Sequence, residues 1–364
     1  MVDGKSVEGC LLGLMLGDSL GLPYEGLSAG RVNKFMPEDL QQSLFFHCGM
    51  VSDDTEHALF VGQAAALYPD DVNKFQTQLS WYLRWWLLRL PAGIGMATGR
   101  SIIKLWLGFP ASKSGVYSAG NGPAMRSPVL GVLFGHDKVK LKAYVRASTE
   151  LTHSDIKAYI GSLAVACLSY QLSQNRESAD ARGNVLAFKT SFSQLTIDIP
   201  DHDLKEFNDL LGMITSAIEK GSQTVGLDYL IKELKLEKGV SGYIYHTVPV
   251  VLFLALKSEE GFLESLRSVI LLGGDTDTTA AILGGILGGR ITNWNHFSKQ
   301  LNAVVDWPIS KRSIKKQSRK IVLGASGEEV VGFPLIVGPV VFLRNLIFLT
   351  IVLGHGFRRL LPPY

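Results

Sequence analysis

Six long stretches of the chain, 53–69, 72–89, 154–173, 203–220, 243–257 and 260–271, place apolar residues at i, i+3 and i+4. That repeat belongs to helices buried on one side. Polar turn clusters separate them: YPDD at 68–71, GFPASKSG at 108–115, SQNRESADARGN at 173–184 and DIPDHD at 198–203. Sustained β alternation is hard to find, and no hairpin dipeptide sits between alternating runs. The pattern predicts an all-α fold with many helices around one core, and 46% hydrophobic residues among 364 supply that core. Some glycines fall inside helical patterns, Gly284, Gly285 and Gly288 among them. Each costs roughly 1 kcal/mol against alanine, so close backbone approach is expected there, to another helix or to a ligand.

The net charge of +3 hides an asymmetry. Residues 308–364 carry nine Lys or Arg against Glu328 and Glu329, leaving residues 1–307 acidic. The body lacks the basic, aromatic-interleaved surface that nucleic acid demands. Cys10, Cys48 and Cys167 are scattered without CxxC spacing, which points to a reducing compartment and away from disulfides or zinc. The apolar N-terminal stretch carries Asp3 and Glu8 and lacks a basic start, so it reads as a helix and not a signal peptide. Cytoplasm is the expected location. Two units are expected: a body, 1–307, and a tail, 308–364, made of a basic linker and the apolar blocks Leu335–Leu343 and Leu346–Leu353. Residues 335–353 would reach ~28 Å as a helix. Arg344 at their centre would cost roughly 2.5–3.5 kcal/mol in a bilayer, and Gly338-Pro339 would kink a span. Two readings stay open for the tail: an interfacial segment on an anionic membrane surface, or packing against the body or a second subunit.

Two acidic clusters carry the chemistry. Ser52-Asp53-Asp54-Thr55 opens one apolar helix, and Gly273-Gly274-Asp275-Thr276-Asp277-Thr278 opens another. Either alone is ordinary capping and dipole compensation. Both together suggest more. If the two helix starts face each other, four carboxylates share one volume and must raise their pKa values or hold cations. Oxygen-only donors favour two hard divalent cations, Mg²⁺ or Mn²⁺, over zinc.

The blocks GLMLGDSLGLPYEG (13–26), SDDTEHAL (52–59), GNGPAMRSPVLG (120–131), THSDIKA (152–158), GYIYHTVPVVL (242–252) and GGDTDTTAAILGGILG (273–288) together resemble the ADP-ribosylglycohydrolase family. The likeness covers roughly residues 5–308. It implies a single large orthogonal helical bundle and a binuclear Mg²⁺ or Mn²⁺ centre. The implied substrate is an ADP-ribosylated protein or a small ADP-ribose conjugate. By resemblance, Ser52, Asp53, Asp54, Asp275, Asp277 and Thr278 hold the metals, with Ser52 replacing a commoner threonine. Glu25 sits over the scissile ribose and helps activate water. Gly120, Asn121 and Gly122 admit the ligand phosphates, His153 lies near the ligand, and Tyr117 and Ser118 line the same pocket. Asp18 and Arg126 are expected to be structural. The expected reaction is hydrolysis of the N- or O-glycosidic bond at ribose C1′, where oxocarbenium character develops. The competing reading is a non-catalytic ADP-ribose-binding relative tethered by its tail; a third keeps the metal centre for another nucleotide or phosphoester. Relatives acting on ADP-ribosyl-arginine commonly carry an acid in the segment matching PAGIGMAT (91–98). Gly93 stands there in this chain, which puts arginine-linked substrates in doubt.

Overall fold

The computed structural model describes residues 2–175, 180–257, 260–330 and 339–358. Among these every regular element is a helix, and extended pairing is limited to isolated bridges. All six helices expected from apolar spacing are present, each within two residues at either end. Nine helices position the site. They are labelled α1 (Gly4–Gly21), α2 (Asp53–Leu67), α3 (Val72–Leu87), α4 (Met96–Trp106), α5 (Ile156–Gln174), α6 (Ile244–Lys257), α7 (Thr276–Gly288), α8 (Lys311–Ala325) and α9 (Pro339–Arg358). Side-chain caps start many of them. Asp3, Ser52, Asp71, Asp155 and Ser310 each accept a backbone N–H from the first turn of α1, α2, α3, α5 and α8 respectively, satisfying donors the helix leaves open.

At the centre α1 and α7 run antiparallel and are buried almost all round. A helix in that position needs no polar face, which is why neither shows an amphipathic stripe. Gly9, Gly13, Gly17 and Gly21 of α1 face Gly288, Gly284, Ala280 and Thr276 of α7. A Cβ on any of the four α1 glycines would overlap the carbonyl oxygen of its partner. The helical glycines therefore serve helix–helix approach and not a ligand. Spacing of four keeps them on one face of α1, and close backbones allow Cα–H···O contacts along the seam.

The segment expected as a basic linker is instead a helix on the body. Ser310 and Ser313 form a capping box at the start of α8. Ile314 and Ile321, seven residues apart, enter the main core, and Gly324 lies against the Ala66 carbonyl. The basic residues occupy its outer face. The tail also resolves toward packing. Pro339 is the first residue of α9, a position where a helix needs no N–H, and Val341, Arg344, Asn345 and Phe348 are buried against the body. No helix among the described residues is long and apolar enough to cross a membrane. The part of the apolar block at 335–338 lies outside the described residues.

The seam makes a stability prediction. Gly13→Ala should lower unfolding free energy by about 1–3 kcal/mol through overpacking. Gly354→Ala, where an added Cβ meets nothing within 4 Å, should leave stability unchanged or raise it by up to about 1 kcal/mol. Urea denaturation of both variants checks the contrast; equal behaviour would show that the seam can yield.

Candidate active site

The register of α1 on α7 brings the end of α1, the turn after it and the start of α7 to one place. Beyond α1, Leu22–Tyr24 forms a 3₁₀ turn that delivers Glu25. The next residue, Gly26, donates its N–H to Gly274 O at 2.7 Å, and Gly274 N–H returns to Leu27 O at 2.7 Å. Gly273 and Gly274 have φ of +72° and +84°, left-handed values that suit glycine. A Cβ at either would collide with the backbone of Leu27–Ala29 or of Val240. The paired glycines before Asp275 are thus a requirement of this loop crossing.

Asp18 ties α2 to the same place. Its carboxylate accepts from Ser52 N–H at 3.0 Å and Thr55 N–H at 3.1 Å, and also from the Thr55 hydroxyl. A residue of α1 therefore caps α2 from outside, the structural role expected for it. Burial pushes the Asp18 carboxyl up to about 6, against the lowering effect of those hydrogen bonds.

The two helix starts face one cleft of about 330 Å³. Glu25, Asp53, Asp275, Asp277 and Thr278 line it, with Ser118, Gly120, Asn121 and Gly122 on another wall. Asp54 lies just beneath, 1% exposed. Its Oδ2 accepts from the Ser52 hydroxyl at 3.0 Å and the Thr278 hydroxyl at 3.3 Å, so the two clusters touch. Its Oδ1 is buried with no hydrogen-bond partner. Asn121 Nδ2 donates to Asp275 Oδ2 at 2.7 Å and to Thr247 Oγ1 at 3.0 Å, fastening the glycine loop to the acidic wall. The carboxyls of Asp53, Asp54 and Asp277 are all held well above the usual carboxylate range. Burial is the largest cause, and repulsion from neighbouring acids adds to it: Asp18 foremost for Asp53 and Asp54, Glu25 foremost for Asp277. The positive ends of α2 and α7 offset part of that repulsion. Among the described residues no three His, Cys, Asp or Glu side chains are already closed around a point an ion would fill. The acids share a wall, not a finished cage.

Two expected pocket residues fall elsewhere. Val116 pairs with His153 as extended chain, through Val116 N–H to Thr152 O at 3.1 Å and Ser154 N–H to Val116 O at 2.9 Å. Alternation then turns Tyr117 outward, 86% exposed and off the cleft. His153 is buried behind the glycine loop, with Nδ1 2.9 Å from the Thr152 hydroxyl. Burial, helped by Arg126, pushes its pKa down to about 3, so it is neutral. A Cβ at Gly120 would stand 2.8 Å from its Nε2; His153 braces the loop from below. Arg126 is buried and bonded to Ser148 and Thr152, structural as expected. The wall Gly95–Thr98, with Met125 and Gly242, completes the cleft. Gly93 lines it too; Met125 and Gly242 fall in blocks that carry the family resemblance, but no side chain of theirs carries a chemical signal that would have placed them at the site.

The cleft's electrostatics fix the sign of a pH effect. Raised native pKa values mean that the folded chain keeps protons the unfolded chain has released. Stability is then fullest below the ordinary carboxylate range and is lost as pH rises through the native values. Free of divalent cations, Asp277→Asn should therefore exceed wild type in stability at pH 8 by on the order of 1 kcal/mol. The gap should close toward pH 4; urea titrations at the two pH values measure it, and no gap at pH 8 would refute the repulsion.

A model of the ADP-ribosylglycohydrolase family matches residues 4–292. The chain is 27% identical over 305 residues to an uncharacterized protein of Archaeoglobus fulgidus, covering 79% of this chain and 88% of that protein. It is 26% identical over 347 residues to the ADP-ribosylhydrolase ARH3 of Xenopus tropicalis, covering 85% and 91%. A solved structure described as an ADP-ribosylglycohydrolase-related protein complex shares the fold, with TM-score 0.63 and 22% identity over 88% of this chain and 98% of that one.

Proposed function

The chain belongs to the ADP-ribosylglycohydrolase family, whose chemistry is the hydrolysis of ADP-ribose linkages, and we propose that this cleft performs it with two divalent cations, Mg²⁺ or Mn²⁺. One observation carries the reading. Carboxylates from two segments far apart in sequence line one cleft with no Lys, Arg or His among the lining residues, and one buried oxygen, Asp54 Oδ1, has no hydrogen-bond partner. Buried acids so arranged call for positive charge. Neither nearby buried guanidinium forms an ion pair with these carboxylates: Arg126 bonds Ser148 and Thr152 through Nε and Nη2, its Nη1 having no hydrogen-bond partner, and Arg344 bonds Asp306.

The residues fit such cations. Asp53, Asp54, Asp275 and Asp277 with the hydroxyls of Ser52 and Thr278 form an all-oxygen donor set, suited to hard ions that keep some of their water. Bound there, the ions would neutralise the acids, orient the ribose and lower the pKa of water. Glu25 stands exposed at the cleft and would take a proton from the water that attacks ribose C1′. The C1′–O or C1′–N bond would break as the new C1′–O bond forms, and the proton taken by Glu25 would pass to the departing oxygen or nitrogen, which leaves as an alcohol or amine. The backbone of Gly120–Gly122, held by Asn121 and His153, would receive the phosphates.

The 91–98 wall bears on the attached group. Gly93 has φ +77°, and a Cβ there would be 4.0 Å from Asp53 Oδ1. No Asp or Glu occurs from Pro91 to Thr98 to meet a guanidinium. We therefore favour hydroxyl-linked ADP-ribose over arginine-linked. Incubating the purified protein with Ser-linked and Arg-linked ADP-ribosyl peptides, with Mg²⁺ or Mn²⁺ and with EDTA, tests this. Expected is ADP-ribose release from the Ser-linked peptide that stops in EDTA and in Asp277→Ala. Glu25→Gln should lower kcat about 10²–10⁴-fold with KM little changed. Tight ADP-ribose binding without turnover on either linkage would favour a binding role instead.

A further inference from the structure

Helix α9 lies beyond the residues that match the family, yet it reaches three segments on which the cleft depends. Arg344 Nη2 donates to Val51 O at 2.8 Å, and Nε donates to Asp306 Oδ1 at 2.9 Å. Nη2 also bonds Asp306 Oδ2, which accepts from Val51 N–H at 3.0 Å. The Arg344–Asp306 pair thus grips both backbone groups of the residue just before Ser52. Arg344 Nη1 stands 3.7 Å from Glu56 Oε1, one turn into α2. The next residue, Asn345, donates from Nδ2 to Arg89 O at 2.9 Å, just ahead of the 91–98 wall. Farther along, His355 Nε2 meets Pro23 O at 2.9 Å, two residues before Glu25.

We infer that α9 is a strap that sets three of the segments forming the cleft, those after Pro23, Val51 and Arg89, with Arg344 as a positioning residue for Asp53 and Asp54. Its effect on catalysis rests on the function proposed above; its hold on the loops does not. Arg344, Glu56 and Asp306 have side chains 8%, 4% and 0% exposed. Without the guanidinium, Glu56 and Asp306 would lose the cation that lies between them and keep only neutral hydrogen bonds and the more distant Arg89, behind an already acidic wall. Lysine would restore charge but not the fork that engages Asp306 and Val51 together. Because the Pro23, Val51 and Arg89 contacts all come from one helix, a disturbance of α9 would reach Glu25, the Ser52–Asp54 motif and the substrate-side wall together.

Hydrogen–deuterium exchange on the full chain, as wild type, Arg344→Met, Arg344→Lys and Asn345→Ala, tests the strap. Titration with Mn²⁺ alone accompanies it. In Arg344→Met, amides of residues 49–56 should exchange at least about tenfold faster while α5 keeps its protection. Affinity for Mn²⁺ should fall about 10–100-fold, the effect of losing a residue that orients ligands. Arg344→Lys should fall between the two. Asn345→Ala should quicken exchange at 88–95 and leave 49–56 protected; it also serves if Arg344→Met does not fold. Unchanged exchange at 49–56 in both Arg344 variants, or equal loosening of the whole chain, would overturn the proposal. The expected exchange pattern in a chain that binds no Mn²⁺ would uphold the strap and count against the metal reading alone.

Discussion

The backbone-to-backbone contact of α1 with α7 is the constraint from which the cleft follows. Where carbonyl oxygens occupy the space of missing Cβ atoms, the helices cannot slide past each other without collision. The register that results puts Asp18, the Leu22–Tyr24 turn and Glu25 at the same end as Asp275 and Asp277. Asp18 then extends it to a third helix by accepting the N–H groups of Ser52 and Thr55. Two helix starts and one turn are thereby brought together with few adjustable parts. Positioning of this kind is what chemistry on a small ligand requires.

The cost of the arrangement is electrostatic. Asp54 and Asp277 are buried and Asp53 half-buried close to other acids, and their carboxyls resist ionisation for that reason. A chain selected for stability alone would not keep them. Helix N-termini offset part of the repulsion, and cations that bind the folded state would stabilise it by mass action. Arg344 answers a related problem one layer back, between Glu56 and Asp306.

Much of this was legible in the sequence, and the exceptions have physical reasons. Helices α2, α3 and α5 were legible through apolar spacing, although only α3 keeps a polar face and α2 and α5 are buried almost all round. The seam was half legible: glycines inside helical patterns implied close approach, but choosing helix over ligand required knowing what faced them. Gly9, Gly13, Gly17 and Gly21, four apart, were the available signal. The two acidic clusters were visible as motifs, whereas their meeting through Thr278 and Asp54 depends on tertiary register. Tyr117 and His153 were placed near the ligand by resemblance, and a short extended pairing turned one outward and buried the other. The basic segment reads as a linker because charge density at 311–320 masks Ile314 and Ile321, whereas packing of the apolar blocks on the body was one of the two readings left open. Arg344 looked like a cost in lipid because its partners, Glu56 and Asp306, lie in distant segments.

The central claim is that the two acidic helix starts form one cation-binding unit. Anomalous diffraction from crystals of the full chain grown with Mn²⁺ tests it most directly. Two manganese peaks are expected in the cleft, bounded by Asp53, Asp54, Asp275 and Asp277, and both should be lost in Asp277→Ala. A cleft without peaks at saturating Mn²⁺, or peaks only on other surfaces, would contradict it.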